Sequence, residues 1–340
     1  MFGTYRTLLA TMVVVFHLGG VQALGYYAVF GFYILSGYLM TFIMQNNYGY
    51  SLRGRASYAL NRFLRIYPVY WVSAVVSLLL IYIFGQQYTT YYHSQIYTPN
   101  NLESILRNIF LFFPNRQSPM LTPPAWALTV ELFFYICIGL GLSKNPRITF
   151  VWFVISVIYT IWLNFKGLGL EYRYFSIMAA SLPFSTGALV FHYRHKFKEI
   201  TRSYSYNRYA PVLLFAFICL NWFVGYFMGT LEVISFYINY LLCALMIILL
   251  FDIQDLPFIS RRLDKLLGDF SYPIYVIHLQ TGLVVLFVIS LTGFEIERRG
   301  LVLAFVSLPV IFLFSWLITV SVERPVELIR NRVKLRYTRK

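Results

Sequence analysis

Residues 209–251 read YAPVLLFAFICLNWFVGYFMGTLEVISFYINYLLCALMIILLF. Two apolar runs, Tyr209 to Phe227 and Leu231 to Phe251, stand back to back across a short turn. A helix needs about 20 such residues to cross a bilayer, so the stretch reads as a tight hairpin of two membrane spans. Eight more runs of the same kind lie outward from it: Thr7 to Leu24, Tyr26 to Met44, Ile66 to Phe84, Thr122 to Leu142, Ile148 to Phe165, Tyr174 to Phe191, Ser271 to Leu291 and Leu301 to Val322. The expected fold is an all-α integral membrane protein, a bundle of about ten transmembrane helices.

Composition agrees: 59% of the 340 residues are apolar and 12% are charged, where a soluble domain carries about 25% charged residues. A net charge of +15 could suggest nucleic acid, but that needs one basic patch or stripe. Here the basic residues form short clusters between apolar runs, as the positive-inside rule expects, so the partners are membrane lipids and no nucleic acid. With the N-terminus cytoplasmic, the inner segments take all 28 Lys and Arg except Arg107, Arg116, Lys166, Arg173, Arg298 and Arg299. Both termini are therefore expected in the cytoplasm of a multi-pass inner-membrane protein. The expected organisation is a membrane domain over residues 1–323 and a basic cytoplasmic tail over 324–340. No cleavage site follows Arg6, so the first run is expected to be a retained helix.

The longest outer segment, Gly85 to Leu121, holds Tyr88, Tyr91, Tyr92, Tyr97 and His93. Tyrosines of this kind suit a membrane interface first and a sugar ring second. Its run Ile105 to Phe113 is too short to span and lies along the interface or re-enters the membrane. Cys137, Cys219 and Cys243 sit in apolar runs with no metal-like spacing, which reads as small core residues and no metal.

Ionisable groups at membrane depth are costly and point to function. Arg6 and His17 are eleven residues apart, which returns to the same helix face about 16 Å further on and sets His17 near mid-depth. Glu131, in PPAWALTVELFF, lies about nine residues into its run from the other side. Ser271, Tyr275 and His278, in SYPIYVIH, follow i, i+4, i+7 spacing and form one polar stripe. Each group could instead satisfy a neighbour within the bundle. A His beside a Glu can serve as a general base, with the carboxylate orienting the ring. A proton-coupled transporter needs similar groups, but no pair of broken helices in two halves accompanies them. A flippase or assembly partner without catalysis is a third possibility. On the inner side Arg62 and Arg65 share a helix face, with Arg53 and Arg55 close by. Chemistry alone ranks lipid headgroups first for these arginines and a polyphosphate donor second.

These residues resemble the membrane-bound acyltransferase-3 family over essentially the whole chain. The resemblance rests on Arg6 and His17 in an Arg-x10-His pattern, on FGFYILSGYLM around Ser36 and Gly37, and on Arg62, Arg65, Tyr67 and Pro68 in RxxRxYP. It continues with Trp126, Leu128 and Glu131 in a WSLxxE-like segment that here has Ala127, with SYPIYVIH ending at His278, and with Glu323, Arg324 and Pro325. The resemblance implies a bacterial O-acyltransferase that moves an acyl group, usually acetyl, from cytoplasmic acetyl-CoA to a cell-surface carbohydrate or lipid-linked glycan. It implies catalysis by His17 with Arg6 as its motif partner, and CoA phosphates held by the Arg62 and Arg65 loop, which reverses the ranking above. Glu131 is expected to support His17, while Ser271, Tyr275, His278, Trp126 and Ser36 are expected to line the acceptor side. Larger relatives add an extracytoplasmic hydrolase-like domain. Without one, this domain is expected to acylate the acceptor itself or to work with separate polysaccharide-assembly proteins.

Overall fold

The computed structural model describes residues 1–114, 116, 118–205, 208–253 and 256–338, the side chains of 200–205 and 334–338 aside. These residues are helical apart from turns and loops. The helices are α1 (Phe2–Gly19), α2 (Leu24–Ile43), α3 (Leu52–Phe84), α4 (Gln86–Tyr92), α5 (Leu102–Phe110), α6 (Trp126–Leu140) and α7 (Pro146–Phe165). They continue with α8 (Ser181–Ser205), α9 (Ala210–Met228), α10 (Ile234–Leu250), α11 (Arg261–Leu291), α12 (Leu301–Ile318) and α13 (Arg324–Thr338). Every expected run contains one of them. Among the described residues, 7 helices are long and apolar enough to cross a membrane: α2, α3, α6, α7, α9, α11 and α12, some with their flanking turns. In α7 and α9 only 22% of the most apolar stretch is buried. Apolar faces that broad are not sustained in water, so this is a multi-pass membrane protein.

The chain divides into two compact units. The first comprises residues 1–9, 22–59 and 133–268. Its centre is the contact of α2 with α8, where the backbones meet at glycines. A Cβ on Gly187 would fall 1.8 Å from the Ile34 carbonyl oxygen, and one on Gly37 2.1 Å from that of Phe184. Small residues at such crossings replace the hydrophobic drive that lipid does not supply. Polar pins add to it: Trp152 Nε1 donates to Ser181 Oγ at 2.8 Å, and Ser156 and Ser181 hydroxyls meet at 2.7 Å. The Asp264 carboxylate accepts from Thr4 N at 2.7 Å and from Thr4 Oγ1 at 2.8 Å, the charge that a helix N-terminus favours. Of the cysteines, Cys243 is buried, Cys137 is half-buried and Cys219 is exposed on α9. Cys219 is thus not a core residue, because an apolar side chain in a membrane helix has no need to face inward.

The second unit comprises residues 10–21, 60–132 and 269–340. Within it, the carbonyls that end α5 are capped by α3: Tyr70 Oη donates to Asn108 O at 2.6 Å, Trp71 Nε1 to Ile109 O at 3.0 Å and Tyr67 Oη to Phe110 O at 2.9 Å. Tyr70 lies about 21 Å along α3 from the end of that helix at Phe84. The segment 102–113 therefore folds back along α3, and its terminal carbonyls are satisfied by protein. The Gln280 amide of α11 lies 2.8 Å from Ser73 Oγ and 2.9 Å from Ser77 Oγ, locking α11 to α3. Of the expected tail, residues up to Thr338 form α13, while Arg339 and Lys340 lie outside the described residues.

Candidate functional site

The second unit gathers a pair of imidazoles. His17 stands in the last turn of α1, which ends at Gly19, with Gly20 in the left-handed region at φ 71. That glycine stop comes several residues before the apolar run ends. His17 consequently sits in the last turn of its helix. Its ring centroid is 5.3 Å from that of His278, which is wholly buried on α11. His278 Nδ1 lies 2.9 Å from Tyr275 O and 3.3 Å from Ile274 O. Both are acceptors, so Nδ1 carries the proton and Nε2 presents a lone pair. Nε2 is buried and has no partner among the described residues. A buried acceptor left unsatisfied costs about 1–3 kcal/mol, which marks it for a ligand's proton.

Tyr275 stands one turn before His278, with ring centroids 6.5 Å apart, and its hydroxyl donates to Pro124 O at 2.9 Å. Ser271 begins the same buried stretch. Glu131, half-buried on α6, lies within electrostatic reach of Tyr275 and Tyr272. Trp126 opens α6, buried, with the Arg116 guanidinium 5.9 Å from its ring centroid. His17, His278, Tyr275, Ser271, Trp126 and Glu131 thus all belong to this unit.

The basic motif forms a second constellation in the same unit. Arg65 Nη1 pairs with Glu323 Oε1 at 3.0 Å, and its guanidinium lies 5.7 Å from the Tyr272 ring. Asn61 Oδ1 accepts from Arg62 Nη2 at 2.6 Å and, at 3.4 Å, from Nε and Nη2 of Arg330. A shallow pocket between Arg65, Pro68, Glu323 and Arg330 opens beside them. The two guanidinium groups that line it, those of Arg65 and Arg330, can receive phosphate oxygens, with Arg62 next to them on Asn61.

A family model described as an acyltransferase domain, that of acyltransferase-3, matches residues 4–320. The chain belongs to this acyltransferase family. No curated protein and no solved structure matches it.

Not every residue expected at the site of this acyltransferase joins the pair of imidazoles. Arg6, Ser36, Arg53 and Arg55 fall in the first unit, where Ser36 Oγ lies 3.3 Å from Tyr135 Oη. Arg53 and Arg55 occupy the first turn of α3, nine and seven residues before Arg62 on the same helix. Among the described residues no group of three His, Cys, Asp or Glu is placed to hold a metal. Sequence reading passed over Gln280, whose amide has no charge to betray it, and the partnership of Glu323 with Arg65, which are 258 residues apart. Of the outer-loop groups, it named His93 only within the tyrosine cluster, and Arg116 and Arg299 only among the outer-side charges. The signal for the two arginines was present, since both are exceptions to the positive-inside bias.

Proposed function

We propose that this family member is a bacterial inner-membrane O-acetyltransferase that carries acetyl from cytoplasmic acetyl-CoA to a hydroxyl of a cell-surface or lipid-linked glycan. The observation that carries the reading is the buried Nε2 of His278, open to a proton, beside the ring of His17. A paired imidazole with one committed and one open nitrogen is suited to proton transfer at an acceptor hydroxyl. The acceptor oxygen attacks the thioester carbonyl carbon, the C–S bond breaks, and the hydroxyl proton passes through His17 to the leaving CoA thiolate. Either the acceptor attacks directly or His17 first carries the acetyl group. Tyr275, Ser271 and Trp126 line the acceptor side, and Glu131 holds charge near Tyr275.

The donor's phosphates rest on Arg62, Arg65 and Arg330, with Arg53 and Arg55 further along α3. Glu323 holds the Arg65 fork in place until phosphate arrives. Ten helices with both termini cytoplasmic would carry this traffic, the basic tail lying on the inner leaflet, and family membership favours transfer over transport. The test is transfer of radiolabelled acetyl from acetyl-CoA by the purified protein in liposomes. His17→Ala should abolish it, and the Arg62→Ala, Arg65→Ala double variant should raise the KM for acetyl-CoA. Transfer at the parent rate by His17→Ala would refute the mechanism. Label retained on quenched protein separates the acyl-enzyme route from direct attack.

A further inference from the structure

The loops around His17 carry a basic cluster that neither donor binding nor proton transfer uses. Arg299 Nη2 donates to Phe16 O at 3.1 Å, its guanidinium carbon lies 5.3 Å from the Phe16 ring, and Phe16 packs edge-on against His17 at 4.8 Å. Arg116 takes a left-handed backbone, φ 50, which side-chain-bearing residues rarely adopt. Gln95 Nε2 donates to the Arg116 carbonyl at 3.3 Å, and Gln95 N donates to His93 Nδ1 at 3.4 Å, so one residue ties the arginine loop to the His93 ring. Both arginines lie within electrostatic reach of His17 and of His93.

Capping the C-terminus of α1 would account for Arg299 alone. It does not account for Arg116, which holds its guanidinium by the Trp126 ring from an unfavourable backbone and within electrostatic reach of the same histidines. Arg299 forms no ion pair among the described residues, and the nearby carboxylate of Glu297 lies against Gly300 instead. The proposed topology also sets these arginines on the outer face, where the charge bias disfavours them.

We infer that Arg299, Arg116 and His93 form a binding site for an anionic group of the acceptor, a phosphate or a carboxylate, that holds the neighbouring hydroxyl at His17. The inference rests on the acyltransferase reading and narrows its substrate class from any glycan to a charged one. Guanidinium forks match both oxyanions bidentately, and a field of this sign draws such acceptors toward the site. His93, tied to the Arg116 loop through Gln95, adds a hydrogen-bonding ring.

The test uses the full chain in phosphatidylcholine nanodiscs and isothermal titration with three probes: a glucuronic-acid trisaccharide, a prenyl-phosphate-linked glucose and a neutral glucose trisaccharide. At least one charged probe should bind tenfold or more tightly than the neutral one. The Arg116→Gln, Arg299→Gln double variant should erase that preference without weakening the neutral probe, the double Lys variant should keep most of it, and Arg107→Gln should leave it unchanged. A preference for the phosphate probe alone assigns a lipid-linked phosphate, and one for the uronate alone assigns a glycan carboxylate. Equal binding of charged and neutral probes, or competition by phosphatidylglycerol with no glycan preference, overturns the inference. Acetyl transfer on the same preparations separates the two readings: transfer with charge-blind binding sinks the anion site alone, and charge-selective binding without transfer sinks the acyltransferase reading.

Discussion

His278 has one nitrogen committed to backbone carbonyls and the other open, so its tautomer is set before any substrate arrives. His278→Ala should therefore lower kcat by about 10²–10⁴-fold, the usual worth of positioned acid–base catalysis, while the KM for acetyl-CoA stays within twofold. A fall confined to KM would make His278 a packing residue. His93 supplies a second residue-level check. Burial, followed by the charges of Arg116 and Arg299, pushes its pKa down from 6.5 to about 4. A lowered histidine pKa means that the fold favours the neutral ring, so between pH 6.5 and 4 the unfolded chain takes up a proton that folded His93 refuses, and its contribution to stability worsens as pH falls through that window. Histidine-resolved NMR should show the His93 ring neutral down to about pH 4, with the midpoint moving up in Arg116→Gln or on binding of a uronate. A midpoint near 6.5 in the parent would remove the arginines from its surroundings. His17 and His278 were legible in the sequence because an ionisable group in an apolar run stands out. His93, Arg116 and Arg299 were legible singly, as a loop histidine and two exceptions to the charge bias, but not as a group, since polar residues in a polar loop carry no periodicity that would link them.

At the level of elements, the ten apolar runs all hold helices, because period and length are local properties of the chain. The ends were less legible. α3 begins at Leu52, well before its apolar run, and α1 stops at Gly19, several residues before its run ends. The packing of α5 back along α3 was not legible, because the side chains that cap it come from another helix. Two predictions belong here. Gly187→Val would drive a side chain into the Ile34 carbonyl, so α2 and α8 must part; the melting temperature should fall by several degrees, whereas Gly167→Ala, with open space around its Cβ position, should change it far less. An equal fall for both would discount the close approach. The Arg65–Glu323 pair joins α3 to the turn before α13, and Glu323 is 9% exposed. Removing one partner of a buried pair costs about 3–5 kcal/mol, and removing both costs much less. Glu323→Ala should destabilise the protein and the Arg65→Ala, Glu323→Ala double variant should recover most of the loss. Donor affinity should stay impaired in the double variant if Arg65 also holds phosphate, and recovery of both would confine Arg65 to a structural role.

For the molecule as a whole, the parity of the spans decides where its ends lie. Among the described residues seven helices meet the length and apolarity of a span, and an odd number would put the two termini on opposite sides. Three others decide the matter: α1 with 18 residues, α8 with 25 and α10 with 17. At 1.5 Å per residue these reach about 27, 37 and 25 Å against a hydrocarbon core of about 30 Å, and small mismatches cost only fractions of a kcal/mol per Å. Length therefore permits all three to cross. The proposed ten-span topology agrees with charge, because it would leave only six of the 28 Lys and Arg outside, while dropping any one of the three would invert every later loop and export the basic tail. A fluorescent protein that matures only in the cytoplasm should therefore glow when fused at either terminus. A cysteine introduced at Lys166 in a variant freed of the native thiols should react with an impermeant maleimide in intact cells, and one introduced at Lys144 only after permeabilisation. A dark fusion at one terminus would mean that α1, α8 or α10 fails to cross, and the labelling pattern on either side of α7 would show whether the fault lies before it or after.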